Sequence, residues 1–303
     1  MYDLIIIGAV PAGITAAVYA ARKKIDFLVV TMDVSGQAAW SGDIENYTGY
    51  QFISGPELAL KFQEHMDSFA IKVNMPESVK EIVKEENLIK TVTDKGQYIS
   101  RTLIVSTGKR SRELDVAGEK EFKNKGVTYC ATCDGPIFRD KTVAVIGGGN
   151  SALDAALQMV KISPKVYIVN NAQKLTGDAV MIEKLNEAVG VEIWNNSAVK
   201  KIHGVSFVNA IDVGKEGKVY RLAVEGVFVE IGLMPNSEFA SLLERNQLGE
   251  VVVDCYNRTN ADGIFAAGDV TNVPEKQIII ACGEGAKASL SAFKYLSTHK
   301  FDA

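Results

Sequence analysis

The sequence has no run of apolar residues approaching the ~20 that a membrane-spanning helix requires, which argues against a helical membrane protein. No basic segment, apolar core and small-residue cleavage site stand at its start. Met1 leads straight into Tyr2-Asp3-Leu4-Ile5-Ile6-Ile7-Gly8, the pattern of a buried strand, so a cytoplasmic location is expected. Long blocks of Lys and Arg are missing and the formal net charge is -4, so no nucleic-acid-binding surface is expected. Cysteine is scarce, at 4 of 303 residues, and the three histidines, His65, His203 and His299, are scattered without ligand spacing. That distribution predicts no metal site. Glycine, in contrast, is plentiful: its 26 residues cluster in strand-to-helix turns and form no flexible linker. The length suffices for two domains, and 47% hydrophobic with 23% charged residues is ordinary for a globular protein.

Two of the glycine turns share one design. After the apolar run Tyr2 to Ile7 come Gly8-Ala9-Val10-Pro11-Ala12-Gly13 and an alanine-rich helix to about Arg22. The next run, Phe27 to Val30, ends near Asp33, which lies 20 positions after Gly13. This is a βαβ start whose helix N-terminus offers free N–H groups to phosphate, and Asp33 stands where an acid takes ribose hydroxyls. Val10 occupies the second-glycine position, so its methyls must turn aside or push a pyrophosphate outward. The second turn follows Lys141 to Ile146. Gly147, Gly149 and Ala152 satisfy G-x-G-x-x-[GA], and a helix to Val160 follows. The strand after it, Val166 to Val169, ends in Asn170-Asn171, where an acid or arginines would discriminate a ribose; Lys174 is the nearby base. Two such turns about one domain length apart suggest an enzyme moving electrons between two bound dinucleotides.

Cys130-Ala131-Thr132-Cys133-Asp134-Gly135 precedes the second turn. A zinc half-site, two buried thiols and a redox pair are the rival readings, and the redox pair is favoured, because no further ligands accompany it. Asp134 either caps a turn or protonates a departing thiolate. Cys255 and Cys282 are expected as small core residues. A polar loop holds Ser35-Gly36-Gln37 and Asp43 to Tyr47. Trp40, Tyr47 and Tyr50 are expected to pack rather than stack on a ligand. Further expectations are a helix from Pro56 to about Ala70, a strand from Gly263 to Val270 ending in an acid, and a final helix from Ala286 to about Leu296.

Taken together, Cys130 to Pro136, Ile146 to Ser151, Phe265 to Asp269 and Lys276-Gln277-Ile278 resemble the low-molecular-weight thioredoxin reductase family, which includes the flavoprotein part of alkyl hydroperoxide reductase. The resemblance covers essentially the whole chain and implies an α/β fold of two Rossmann-like, three-layer domains, the second inserted into the first. An FAD domain would be built from 1–113 and 244–303, and 114–243 would bind nucleotide and carry the cysteines. By that resemblance Gly8, Pro11, Ala12, Gly13 and Asp33 hold the ADP part of FAD. Gly36, Gln37 and Asn46 lie along the flavin side and Thr107-Gly108 packs beside it. Gly268 and Asp269 serve the ribityl chain, and Lys276, Gln277 and Ile278 the isoalloxazine edge. Gly147, Gly149, Asn150, Ser151 and Ala152 receive NADPH or NADH.

The implied activity is hydride transfer to flavin and then reduction of the Cys130–Cys133 disulfide. Cys133 is nearest the flavin in this family pattern, Cys130 attacks a thioredoxin-like protein, and Asp134 is the acid. Relatives swing the inserted domain and are usually homodimers. The peroxide reductase relative carries an extra N-terminal thioredoxin-like region, for which no counterpart is expected here. Asn170-Asn171 replaces both the basic signature for a 2′-phosphate and the acid of NADH-preferring relatives. Reduced ferredoxin therefore stands beside NADPH and NADH as a donor. A peroxiredoxin- or glutaredoxin-like partner, a dithiol oxidase and a non-catalytic redox sensor are the alternatives.

Overall fold

The computed structural model describes residues 1–40, 43–44 and 46–301, with the side chains of Trp40, Asp43 and Cys133 outside that description. The expectations placed on Glu45 and on those three side chains therefore lie outside the described residues. The first apolar run forms β1 (Tyr2–Ala9), buried from Leu4 to Ala9. Burial on both faces explains why the run shows no polar alternation. Pro11 opens α1 (Pro11–Arg22), where its fixed φ suits the helix and its missing N–H costs nothing. β2 (Phe27–Val34) returns parallel to β1. Ser54 and Glu57 form a capping box that starts α2 (Gly55–Asp67), which stops short of Ala70. β3 (Val79–Glu85), β4 (Leu88–Thr93) and β5 (Gln97–Val105) then form an antiparallel meander, and β5 also pairs parallel with β1.

The chain divides into two compact units, 1–110 with 234–303, and 111–233. The return thus falls at Met234, ahead of the expected 244. The reason is local: Asn236 is already tied to the backbone of Thr107 and Gly108.

In the second unit a one-turn helix, α3 (Ala131–Asp134), precedes β6 (Thr142–Ile146), α4 (Asn150–Val160), β7 (Lys165–Val169) and β8 (Val191–Trp194). An antiparallel sheet of β9 (Ser197–Gly204), β10 (Val208–Lys215) and β11 (Lys218–Ala223) follows, and then β12 (Gly226–Val229). The five-stranded parallel sheet runs Val127–Thr128, β12, β6, β7, β8. Val145, Ile168 and Phe228 face α4 on one side of it, and Ala144, Ile146 and Val227 face Ile202, Ile211 and Val213 of the antiparallel sheet on the other. This unit thus has three layers, helix, parallel sheet and antiparallel sheet, with the parallel sheet in the middle.

The first unit closes with β13 (Ile264–Ala266), shorter than the predicted Gly263 to Val270, and α5 (Ile278–Thr298). Its seven-stranded sheet runs Val73–Asn74, β2, β1, β5, β4, β3, with β13 added beside β5. Val29, Ile6, Ile104 and Phe265 lie in one register row and face α1 and α5. Leu28, Ile5, Leu103 and Ile264 form the next row, covered by Ile82, Ile89, Leu243 and Val251 on the opposite side.

The last helix begins at Ile278, not near Ala286, with Gln277 at its N-cap. Gly283 and Gly285 are helical and do not break it. Gly285 lets α5 press against α1: a Cβ there would stand 1.9 Å from the Ala12 carbonyl oxygen, whereas one at Gly283 would meet nothing within 4 Å. Gly285→Ala is therefore expected to destabilise the chain by about 3 kcal/mol through overpacking. Gly283→Ala should stabilise it by roughly 0.5–1 kcal/mol through helix propensity. Chemical denaturation of the two variants against wild type checks the opposite signs.

Candidate functional site

In both units the glycine turn lies where β1 and β6 separate neighbours reached in opposite directions, the position at which open α/β sheets hold ligands. Gly8 has φ +99°, and a Cβ there would lie 2.5 Å from the Ser106 carbonyl oxygen; one at Gly13 would lie 1.8 Å from that of Gly8. Only hydrogen fits at either place. Ser106 Oγ donates to the Ile7 and Gly8 carbonyls at 2.9 and 3.1 Å and pins the turn to the end of β5. Among the described residues, the N-cap residue Val10 makes no side-chain capping hydrogen bond, which leaves the first amides of α1 suited to an anion.

Thirteen of the residues predicted for FAD line one cleft of about 450 Å³: Pro11, Ala12, Asp33, Gly36, Gln37, Asn46, Thr107, Gly108, Gly268, Asp269, Lys276, Gln277 and Ile278. Gly8 lines a second cavity of about 300 Å³, which shares Val10, Asp33, Thr107 and Asn236 with the first. Gly13 lies beneath, in the turn. Gln37 Nε2 donates to the Lys109 carbonyl at 3.0 Å, and Asn46 Nδ2 to Gln277 Oε1 at 3.0 Å. Tyr47 packs on Phe62 and Tyr50, as expected, and its hydroxyl reaches Cys282 Sγ at 3.8 Å.

The acids in and behind the cleft are graded by their partners. Burial pushes the Asp269 carboxyl up, against the pull of Lys276 and Lys109. Glu250 is also desolvated, yet hydrogen bonds from Lys109, Asn246 and Lys276 hold it at about 2. Lys109 reaches it at 2.8 Å and Lys276 at 3.2 Å. Glu284, 3% exposed, accepts from the Gly268 N–H at 3.1 Å and from Thr271 Oγ1 at 3.3 Å, bracing the turn that presents Asp269. The residue pattern marks none of Lys109, Asn236, Glu250 and Glu284 for the site, because each gains its meaning from a partner far away in the chain.

In the second unit Gly147, at φ +139°, packs on the Glu230 carbonyl, where a Cβ would come within 2.2 Å. Gly149 is the N-cap of α4 and no side chain caps it; Asn150 and Ser151 are exposed and Ala152 is buried. The loop after β7 reaches back over the turn: Thr176 N–H donates to the Gly148 carbonyl at 2.7 Å and Asp178 N–H to Asn150 Oδ1 at 2.7 Å. Asn170, 3% exposed, spends its amide inside the protein. It donates to Asn195 Oδ1 at 2.9 Å and the Ala172 carbonyl at 3.3 Å, and it accepts from the Ala172 N–H at 3.2 Å.

Cys130 is disulfide-bonded, and Cys255 and Cys282 are free. Cys282 is buried, as expected. Cys255 is exposed, which corrects its expected core position: it sits in a turn set by Asp254, whose carboxylate accepts from the Tyr256 and Arg258 amides. Beside Cys130, Thr128 Oγ1 donates to Asp134 and accepts from the Cys130 N–H at 3.2 Å. Thr132 donates to Gln158 at 3.2 Å, and Gln158 to Asp154 at 2.7 Å. Glu230, at the end of β12, faces the same loop. Burial foremost, and then Asp154, push its carboxyl up to about 7, while the Ala131 N–H pulls it down. Among the described residues no group of three metal-ligating side chains gathers, and no helix is long and apolar enough to cross a membrane.

Glu230 makes stability depend on pH with a definite sign. With a folded value of about 7 against 4.5 when free, the folded chain binds more protons between those values. Stability should therefore fall as pH rises from 4.5 to 7, by at most about 3 kcal/mol. Glu230→Gln should be close to wild type at pH ~5 and more stable than it at pH ~8. Urea denaturation at both pH values tests this, and an equal offset at the two would count against it.

A profile of the pyridine nucleotide-disulphide oxidoreductases matches residues 2–285. The chain is 42% identical over 299 residues to an NADH dehydrogenase of Ferdinandcohnia aciditolerans, covering 97% of this chain and 57% of that protein. It is 39% identical over 307 residues to an alkyl hydroperoxide reductase component of Escherichia coli, covering 97% and 58%. The chain thus spans less than two thirds of the length of these curated relatives. The crystal structure of Lactococcus lactis thioredoxin reductase is 34% identical and superposes with a TM-score of 0.88 over 99% of this chain and 100% of that one. Sequence and fold agree along nearly the whole length: the chain belongs to the pyridine nucleotide-disulphide oxidoreductase family.

Proposed function

We propose that the chain is an FAD-dependent oxidoreductase that passes electrons through the Cys130–Cys133 pair to the disulfide of a thioredoxin-like protein. The observation that carries the reading is the state of the cysteines: Cys130 is in a disulfide while Cys255 and Cys282 remain thiols. The family uses FAD and NAD(P)H and acts on sulfur groups. The first unit suits FAD by its own chemistry. It offers uncapped α1 amides for a pyrophosphate, Asp33 at the end of β2 for a ribose, and a half-buried Asp269 beside apolar Ile44, Ile278 and Ala281. Bound there, FAD would supply a two-electron carrier between a donor and the Cys130–Cys133 pair.

The chain's own residues do the rest. Cys130, as thiolate, attacks one sulfur of the partner's disulfide, so that a Cys130–partner bond forms as the partner's S–S bond breaks. The second partner sulfur leaves as a thiolate and takes a proton from Asp134, which Thr128 orients. Cys133 then gives up its proton and attacks Cys130, the partner's remaining sulfur leaves as a thiolate that takes up that proton, and the internal disulfide re-forms, while Asp134 regains the proton that Cys130 lost on ionising. Two electrons have passed from the pair to the partner, which departs as a dithiol.

The electron donor is the finer question. Asn170, with its amide spent on Ala172 and Asn195, offers a ribose neither the acid that prefers NADH nor the charge that prefers NADPH. This supports weak use of NADPH, with NADH or reduced ferredoxin as the better donor. Partners of the peroxiredoxin type are the second reading, favoured by the likeness to the alkyl hydroperoxide reductase component. In this reading the first unit is the FAD domain and the second the nucleotide domain.

Anaerobic titration after incubation with excess FAD tests both parts. NADH or reduced ferredoxin should bleach the flavin faster than NADPH, and rapid bleaching by micromolar NADPH would overturn the donor assignment. Cys130→Ser should keep its flavin and lose thioredoxin-disulfide turnover by about a hundredfold or more. Full turnover in that variant, or failure to take up FAD, would overturn the assignment of function.

A further inference from the structure

We propose that Val10 obstructs the passage between the adenosine and flavin halves of the first unit's cleft, so that FAD is a dissociable cofactor of this chain. The inference rests on the FAD reading above and concerns how tightly that cofactor is kept. Val10 is the residue of the turn over which a pyrophosphate must pass to meet the α1 amides. It is also the N-cap, with φ -98° and ψ 176°, an ordinary extended conformation that leaves its side chain unstrained.

The two methyls fill the passage. Val10 Cγ1 lies so close to Gly36 that a Cβ on that glycine would be 2.6 Å away, and Cγ2 faces Gly108, where the distance would be 3.9 Å. Gly36 follows β2 and Gly108 follows β5, so the side chain spans from one lip of the cleft to the other. On one side lies the 450 Å³ cavity with Asp269 and Gln277, and on the other the 300 Å³ cavity with Gly8 and Thr31. Val10 lines both.

A dinucleotide that occupies the two cavities at once must carry its pyrophosphate past those methyls. They donate no hydrogen bond, exclude water from the charged oxygens and hold them off the amides that would neutralise them. The flavin ring and the adenosine each keep their own contacts. Binding is weakened at the link between them.

Equilibrium dialysis and flavin-fluorescence titration of wild type, Val10→Gly and Val10→Ala, with FAD and with riboflavin as probes, test the inference. Glycine is well tolerated at an N-cap, and the alanine variant, a smaller step, should move in the same direction. Wild type should lose FAD on dialysis. Val10→Gly should bind FAD at least about tenfold more tightly, with riboflavin affinity, which involves no phosphate, changed less than about twofold. Wild type that retains stoichiometric FAD, with an affinity within about threefold of Val10→Gly, would overturn the inference and leave the flavoprotein assignment intact. Absence of FAD binding in all three proteins would overturn both.

Discussion

The start of α1 is held by contacts too close for any side chain, and the first unit's chemistry is referred to that point. Gly13 lies on the Gly8 carbonyl, Gly8 on that of Ser106, and Gly285 on that of Ala12. The uncapped amides of α1 therefore have little freedom to move, and Asp269, on the turn that Glu284 braces, is carried against the same helix through Gly268 and Ala12. Helix ends that bind anions work by presenting fixed donors, and rigidity here comes from missing Cβ atoms together with the hydrogen bonds of Ser106 and Glu284. A turn built this way tolerates a larger residue only where the side chain can leave the contact plane, as Val10 does toward Gly36.

The second unit treats charge differently. In the first, Glu250 is neutralised by two lysines and stays ionised. Around Cys130 the acids Asp134, Asp154 and Glu230 are served mainly by hydroxyl, amide and backbone donors. Of these, Glu230 is desolvated by burial and holds its proton more tightly for that reason.

Much of the architecture is legible from the residue pattern because the features that carry it are local. Tyr2 to Ile7 and Val143 to Ile146 are continuous apolar runs since both faces of each strand are buried, and the two glycine turns announce themselves because close approach permits nothing else. The Cys-x-x-Cys spacing singles out Cys130, which is disulfide-bonded. What escaped is non-local. Glu250 is 141 positions from Lys109, and Asn236 is 129 from Thr107; neither has a neighbour in sequence to mark it. β10 escaped because Asn209, Asp212 and Gly214 interrupt its apolar residues, although Val208, Ala210 and Val213 are buried. Gly283 and Gly285 precede the expected helix start at Ala286, yet both are helical: one is a surface position and the other the contact with α1.

The clasp between Thr107 and Asn236 has a consequence for how such a chain can be assembled. Thr107 Oγ1 donates to the Asn236 carbonyl at 2.6 Å, Asn236 Nδ2 to that of Thr107 at 2.9 Å, and the Asn236 N–H to that of Gly108 at 3.0 Å. The points where the backbone leaves and re-enters the first unit are thus hydrogen-bonded neighbours. An insertion whose two ends meet asks little of its host: a turn of about two to five residues closes the gap as readily as a whole domain does. The first unit's backbone therefore leaves and returns at one hydrogen-bonded point, beside the end of β5.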